Sequence, residues 1–154
     1  MYSKIRDFLN CQGIKYLAPA KAGEDGEQML AYREMGQEAR KEFTRLVSDF
    51  KKIFPRLKQD RTSQWMNQAQ ILRPHFWAYL QGEGEIADPM FALRLYGDSK
   101  DFGVSLEVSF IERKKDEESL QKQNRVLTLP VSSPVYYLAQ VEGVSQRFQG
   151  TEAN

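Results

Sequence analysis

The sequence has little of the side-chain chemistry on which many catalytic sites depend. It contains one histidine, His75, and one cysteine, Cys11. A single histidine excludes zinc motifs that need two, and a Ser-His-Asp triad would have to use His75 without the GxSxG turn that presents the serine in many hydrolases. A single cysteine excludes an internal disulfide. Because this pattern is typical of proteins from reducing compartments, we expect a cytoplasmic protein.

Long apolar runs and a strong net charge are also missing. No segment approaches the roughly 20 apolar residues of a membrane helix, and the N-terminal residues have no apolar core of signal-peptide length. The 22 basic residues are balanced by 21 acidic ones, which leaves a net charge of +1. We therefore expect no membrane contact, and an attraction to nucleic acid would require a local basic patch.

Length and composition predict one folded domain. The 154 residues suit a single domain, and 41% of them are hydrophobic. Nine phenylalanines, seven tyrosines and two tryptophans provide the largest apolar side chains. We expect a single α+β domain over residues 1–154, with a polar tail that frays from about residue 145.

The strongest helical pattern covers residues 27–54. Its apolar residues recur at spacings of three and four, which places them on one stripe facing a core. Pro55 ends the helix, and Gly36 is a point at which we expect it to break into two pieces. The stripe consists of Ala39, Phe43, Leu46, Val47, Phe50, Ile53 and Phe54.

Two alternating runs, residues 90–96 and 103–111, give the clearest β pattern. The connection between them, GDSKDFG, is rich in turn-forming residues, so the runs predict an antiparallel hairpin with one buried face. We predict an α+β fold in which an antiparallel sheet, built around this hairpin, packs against the long helix near residues 27–54. A further strand is predicted over residues 135–141.

The segment between the helix and the hairpin is predicted to hold a loop, a short helix and a strand. Residues 56–61 are polar and predict a loop. Thr62 or Ser63 then caps a predicted helix over residues 64–72. A proline separates this helix from residues 75–81, which predict a strand, with a helix as the alternative.

Aromatic and amide side chains are mixed within this segment. Such a mixture lines pockets that recognise planar or sugar-like molecules, because aromatic walls stack and amides form hydrogen bonds. Packing in a core is the simpler explanation of the same aromatic residues. The residues that we predict to contact a small ligand are Trp65, Asn67, Gln70, His75 and Trp77.

Asp88, Glu112 and Lys114 form the sharpest catalytic hypothesis. Some metal-dependent nucleases place an Asp on one strand and an Asp/Glu-x-Lys pair on the next, so that the carboxylates hold Mg²⁺ or Mn²⁺ and the lysine stabilises charge. Asp88 and Glu112 each lie twelve residues from Lys100, near the centre of the predicted turn, which would place them opposite each other. The D/E-x-K pattern is common, however, and a plain salt bridge across the ladder would give the same sequence.

Residues 40–61 are locally basic. Eight basic residues stand against three acidic ones, which gives this segment a charge of +5. A solvated helix face followed by a polar loop explains the excess, and phosphate binding to nucleic acid is the functional alternative. The basic residues are Arg40, Lys41, Arg45, Lys51, Lys52, Arg56, Lys58 and Arg61.

The sequence therefore favours a non-catalytic cytoplasmic domain that binds a small ligand or a protein partner. We expect no cofactor under this hypothesis. One alternative is a metal-dependent nuclease or phosphodiesterase that uses Asp88, Glu112 and Lys114 with Mg²⁺ or Mn²⁺. A weaker alternative is nucleic-acid binding through residues 40–61.

Overall fold

The structure, a computed structural model, describes residues 2–82, 91–97, 102–108, 117–118, 121, 136–141 and 144–149. The chain divides into two compact units, Met1–Ser109 and Phe110–Asn154. Two α-helices and a four-stranded sheet belong to the first unit, and a two-stranded hairpin belongs to the second.

Within the described residues, the first unit contains two α-helices followed by four strands. Helix α1 covers Ser3–Leu9 and helix α2 covers Gly26–Ile53, with 3-10 turns at Pro19–Lys21 and Gly23–Asp25 between them. One long helix beside a small antiparallel sheet confirms the predicted α+β class. The strands are β1 Lys58–Thr62, β2 His75–Gln81, β3 Phe91–Gly97 and β4 Phe102–Val108.

The long helix predicted over residues 27–54 is confirmed as α2. Its terminal charges, Glu27 in the first turn and Lys51 and Lys52 in the last, complement the helix dipole. The helix runs through Gly36 without interruption, so the break expected there does not occur. An ideal Cβ atom at Gly36 would lie 2.7 Å from ring atoms of Trp65, so the glycine makes room for this tryptophan.

Helix α1 packs on α2 through the buried side chains of Ile5, Phe8 and Leu9. No side chain caps its first turn from the N-terminal side. Instead, Glu42 of α2 accepts a hydrogen bond from the amide of Ile5, with 2.9 Å between Oε2 and N. Because the first amides of a helix have no partner within it and carry partial positive charge, this carboxylate stabilises both α1 and its position on α2.

The sheet is antiparallel, with the strand order β1-β2-β3-β4. The strand predicted over residues 75–81 is confirmed as β2. Its buried side chains alternate with half-buried ones, which gives the strand a core face and an outer face. Strands β3 and β4 pair along their whole length, as the hairpin predicted over residues 90–96 and 103–111 requires. Residues 90 and 109–111 of that prediction lie outside the described residues.

The core of the first unit lies between the two helices and the sheet. Phe76 of β2 contacts Phe8 of α1 and Phe43 of α2, with ring centroids 5.6 and 5.5 Å apart. All three side chains are fully buried. The described part of the sheet therefore packs against the long helix through the core face of β2, to which Ala78 and Leu80 also belong.

Two local predictions are wrong. Residues 58–62 form the strand β1 instead of part of a loop, and no helix forms over residues 64–72. Strand β1 was missed because its sequence, KQDRT, does not alternate, as is common in edge strands whose charges discourage pairing with other chains. Its register with β2 shifts between Gln59 and Thr62, which marks a β-bulge or a similar irregularity.

Ser63 explains why the predicted helix over residues 64–72 does not start. Its amide donates to the carbonyl of Trp77 at 2.8 Å, and its Oγ accepts from the amide of Trp77 at 3.1 Å. The hydroxyl that was expected to cap a helix is thus committed to strand β2. Downstream, the chain folds back on itself through an isolated bridge between Met66 and Leu72.

In the second unit, strand β5 (Tyr136–Val141) pairs with strand β6 (Val144–Gln149) as an antiparallel hairpin. The strand predicted over residues 135–141 is therefore confirmed as β5. Strand β6 occupies residues that the sequence analysis assigned to a polar tail from about residue 145.

Candidate functional site

Trp65, the first predicted ligand contact, lies in the core of the first unit. Only 9% of its surface is exposed. Its ring packs edge-on against Tyr16, at 4.9 Å between centroids, and against Phe8, at 6.4 Å. Together with its contact to Gly36, these neighbours account for the position of the indole through packing alone.

Asn67 and Gln70 belong to a tight turn. The side-chain oxygen of Asn67 accepts from the amide of Ile71 at 3.0 Å, and the amide of Gln70 donates to the carbonyl of Asn67 at 3.0 Å. Gln70 has a left-handed backbone, with φ 59°. Asparagine favours such turns because its side chain bonds to nearby backbone groups. The Asn67 side chain therefore has a structural partner within the chain.

His75 and Trp77 lie on the outer face of β2, opposite the core face. The ring of Trp77 packs on Tyr79, with 4.5 Å between centroids and 34° between planes. On another side, the guanidinium carbon of Arg73 lies 6.0 Å from the Trp77 ring centroid, a cation–π distance. Burial lowers the pKa of Arg73, whose Nε donates to the carbonyl of Met66 at 3.2 Å.

The five predicted ligand contacts are therefore divided. Trp65 packs on the core side, Asn67 and Gln70 form the turn, and His75 and Trp77 occupy the outer sheet face. The structure does not gather them around one point. Ligand contact by the residues of the outer face stays a prediction.

The predicted catalytic residues Asp88, Glu112 and Lys114 lie outside the described residues. The proposed Mg²⁺ or Mn²⁺ site and the nuclease activity therefore stay a hypothesis. Within the part of the chain that the structure describes, no cluster of three or more His, Cys, Asp or Glu side chains is arranged to hold a metal ion.

The basic residues of segment 40–61 do not share one environment. Arg40 is half-buried, and its Nε donates to the carbonyl of Ser63 at 3.4 Å. Lys41 pairs with Glu38, which lowers the pKa of that carboxyl mainly through the hydrogen bond between them. Lys52 pairs with Asp49 at 2.7 Å. Because these contacts use three of the eight cations, the segment does not present a uniform basic face to a phosphate backbone.

The end of α2 carries an apolar surface that the sequence analysis assigned to the core. Ile53 is 71% exposed and Phe54 is 48% exposed. Phe50, one turn before Phe54, is half-buried and packs against the core on one side. The rings of Phe50 and Phe54 lie 4.8 Å apart with a 40° tilt. We call Phe50, Ile53 and Phe54 the apolar end cluster.

The C-terminal end of helix α2 extends beyond the core that the helix covers. Ala39, Phe43 and Val47 are fully buried, whereas the same stripe is exposed by the last turn. Helical periodicity shows which residues share a face, but it does not show where the neighbouring elements end. The only sequence signal for this exposure is the cluster of cations around the last apolar residues.

Three of those cations are close to the apolar end cluster in the sequence. Lys51 precedes Ile53 in the last turn, and Arg56 and Lys58 follow shortly after the helix. Among the described residues, none of the three has an ion-pair partner. We call Lys51, Arg56 and Lys58 the basic rim.

Cys11 does not behave as an activated nucleophile. Its pKa is raised, first by burial and second by the carboxylate of Asp7. Its Sγ lies 3.9 Å from the carbonyl oxygen of Asp7. Because the thiolate is the reactive form, a raised pKa keeps this thiol protonated and unreactive at neutral pH.

Over the described residues, no helix is both long and apolar enough to cross a membrane. The chain matches no protein-family model, no curated protein and no solved structure.

Proposed function

We propose that this protein is a non-catalytic, cytoplasmic interaction domain that binds a protein partner through the end of α2. The observation that carries the proposal is the exposure of Ile53 and Phe54, at 71% and 48%, next to the half-buried ring of Phe50. Large apolar side chains that are exposed as a group, and not singly, mark interaction surfaces.

The composition of this surface supports a protein partner. The surface contains two aromatic rings and an isoleucine, and cations that include arginine are adjacent to them in the sequence. Interfaces between proteins contain such residues, with an apolar centre enriched in aromatic residues and a polar rim. A few central side chains contribute most of the binding energy in such interfaces.

The polar groups predicted to contact a ligand give weaker support to the small-ligand version. Asn67 is engaged in a turn and Trp65 is packed in the core. Binding of a protein partner does not require Asn67 or Trp65, because the proposed surface is formed by the last residues of α2.

The proposal is tested by photo-crosslinking from a benzophenone side chain at position 53 in cells, followed by reconstitution with the purified, crosslinked protein. Ile53→Asp should weaken the reconstituted complex by about tenfold or more, because it removes a central apolar contact and buries a charge. Ser48→Asp is the matched control, since Ser48 is exposed on α2 about 140° around the helix from Ile53. Equal binding by wild type and Ile53→Asp would contradict the proposal.

A further inference from the structure

The surface at the end of α2 combines two kinds of chemistry. The apolar end cluster contains a contiguous aromatic pair, because the rings of Phe50 and Phe54 lie 4.8 Å apart. A partner segment that covers the cluster must supply apolar side chains on one of its sides.

The charges around the cluster restrict the partner further. Residues 51–61 contain five cations and one carboxylate, Asp60. The basic rim has no ion-pair partner in the described part of the chain, so its charges are available to an incoming ligand. Opposite charge steers association and suppresses the wrong partners, because like charges at an interface are costly.

We propose that the partner is an acidic amphipathic segment of another protein, whose apolar face covers Phe50, Ile53 and Phe54 and whose carboxylates meet the basic rim. This inference rests on the proposed function and adds the chemistry of the partner to it. The Lys52–Asp49 pair is internal to α2 and takes no part, which leaves Lys51, Arg56 and Lys58 as the specificity-determining cations.

Labelled peptides of about 18 residues, or five helical turns, provide the test in a fluorescence-anisotropy titration with the full chain. Three peptides share one Leu/Phe face and carry Glu, Gln or Lys on the other face. A fourth has the Glu face and Ala in place of the apolar face. The acidic amphipathic peptide should bind about tenfold more tightly than the Gln peptide and more tightly still than the Lys peptide.

Two variants separate the contributions of the surface. Ile53→Ser should reduce binding of the acidic amphipathic peptide by about tenfold, as removal of a central contact does. The double variant Lys51→Glu and Arg56→Glu should reverse the preference toward the Lys peptide. Lys21→Glu with Arg33→Glu changes the net charge equally at exposed positions away from the end of α2, and it should leave the preference unchanged.

The outcomes distinguish this inference from the proposed function. Equal binding of the Glu, Gln and Lys peptides, with loss in Ile53→Ser, would overturn the acidic partner and keep the protein-binding surface. Tighter binding of mixed phosphatidylcholine–phosphatidylserine vesicles than of every peptide would assign the surface to a lipid and overturn both. Self-association that Ile53→Ser abolishes would make a second copy the occupant and would also overturn the inference.

Discussion

At the scale of single residues, Trp65 and Gly36 show what a sequence hides. A tryptophan near amide side chains predicted the wall of a ligand pocket. The sequence shows the residue types, but it does not show that Trp65 packs against Gly36. In the structure the indole fills a space that only a glycine on α2 leaves open. The same applies to Ser63, whose hydroxyl was expected to cap a helix and instead bonds to Trp77 of β2.

Replacing Gly36 by alanine tests this contact. Within a helix, alanine is ordinarily about 1 kcal/mol more favourable than glycine. Here the added Cβ would lie 2.7 Å from the Trp65 ring, so we expect Gly36→Ala to lower the free energy of unfolding by about 1–3 kcal/mol. Urea denaturation measures the change, and Gln37→Ala, at the exposed neighbouring position, should stay within about 0.5 kcal/mol of wild type. A Gly36→Ala protein as stable as wild type would refute the packing argument.

The Cys11 thiol gives a prediction for pH. Its pKa is raised in the folded chain by burial and by Asp7, so the unfolded chain loses the thiol proton at a lower pH. Between the two pKa values the folded state binds more protons, and the free energy of unfolding therefore falls as pH rises through that interval. This contribution is fully present below the pKa of the unfolded state.

Iodoacetamide alkylation of Cys11 across pH measures the shift. The midpoint of the rate should be higher for the native protein than for the protein in urea. Cys11→Ser should lose less stability than wild type over the same alkaline interval. A native midpoint at or below that of the unfolded chain would show that burial does not control this thiol.

At the scale of elements, helices and strands were predicted correctly where their apolar residues repeat regularly along the sequence. Helix α2 and strand β2 have repeats of about 3.6 and 2 residues, which are local properties of the sequence. Strand β1 has no repeat, because an edge strand with charged residues is held by its neighbour alone. The helix over residues 64–72 was predicted from a possible cap at Thr62 or Ser63. Side-chain-to-backbone hydrogen bonds at Ser63 and Asn67 stabilise another path.

Helix α1 is short and depends on α2. Isolated helices of this length are unstable in water, so tertiary contacts must hold it. We expect Glu42→Ala, which removes the acceptor for the Ile5 amide, to lower the free energy of unfolding by about 1 kcal/mol. Hydrogen exchange at the Ile5 amide should accelerate in parallel, and Glu42→Gln should retain part of the protection because it keeps an acceptor.

Glu38, which lies one turn before Glu42 on α2, provides the matched control. Glu38 forms an exposed ion pair with Lys41, and pairs of this kind contribute little to stability. Glu38→Ala should therefore leave exchange at Ile5 unchanged. Faster exchange at Ile5 in Glu38→Ala than in Glu42→Ala would assign the effect to helix charge in general and not to this cap.

At the scale of the whole molecule, the first unit has a hydrophobic core of its own. This core includes buried side chains between Ile5 and Leu80, and both tryptophans, Trp65 and Trp77, lie in the same range. We expect residues 1–109 alone to unfold cooperatively in urea, with tryptophan fluorescence as the signal. A broad, non-cooperative transition would show that this unit needs residues 110–154 to fold.

The surface that we propose as the binding site could be predicted only in part. The sequence showed the apolar stripe and the local excess of cations. It did not show that the last residues of the stripe, Ile53 and Phe54, are exposed. Asp88, Glu112 and Lys114 stay a prediction, since they lie outside the described residues. The proposed protein-binding surface therefore depends on where α2 ends relative to the core.

The measurement that tests this central claim most directly is a map of backbone amide chemical shifts. The full chain, labelled with ¹⁵N, is titrated with the acidic amphipathic peptide. We predict that the perturbed amides lie within residues 46–61, at the end of α2 and the start of β1. Perturbations confined to the outer face of β2, residues 75–81, would favour the ligand-binding hypothesis. No perturbation at the end of α2 by this peptide or by the Gln and Lys peptides would contradict the proposed function.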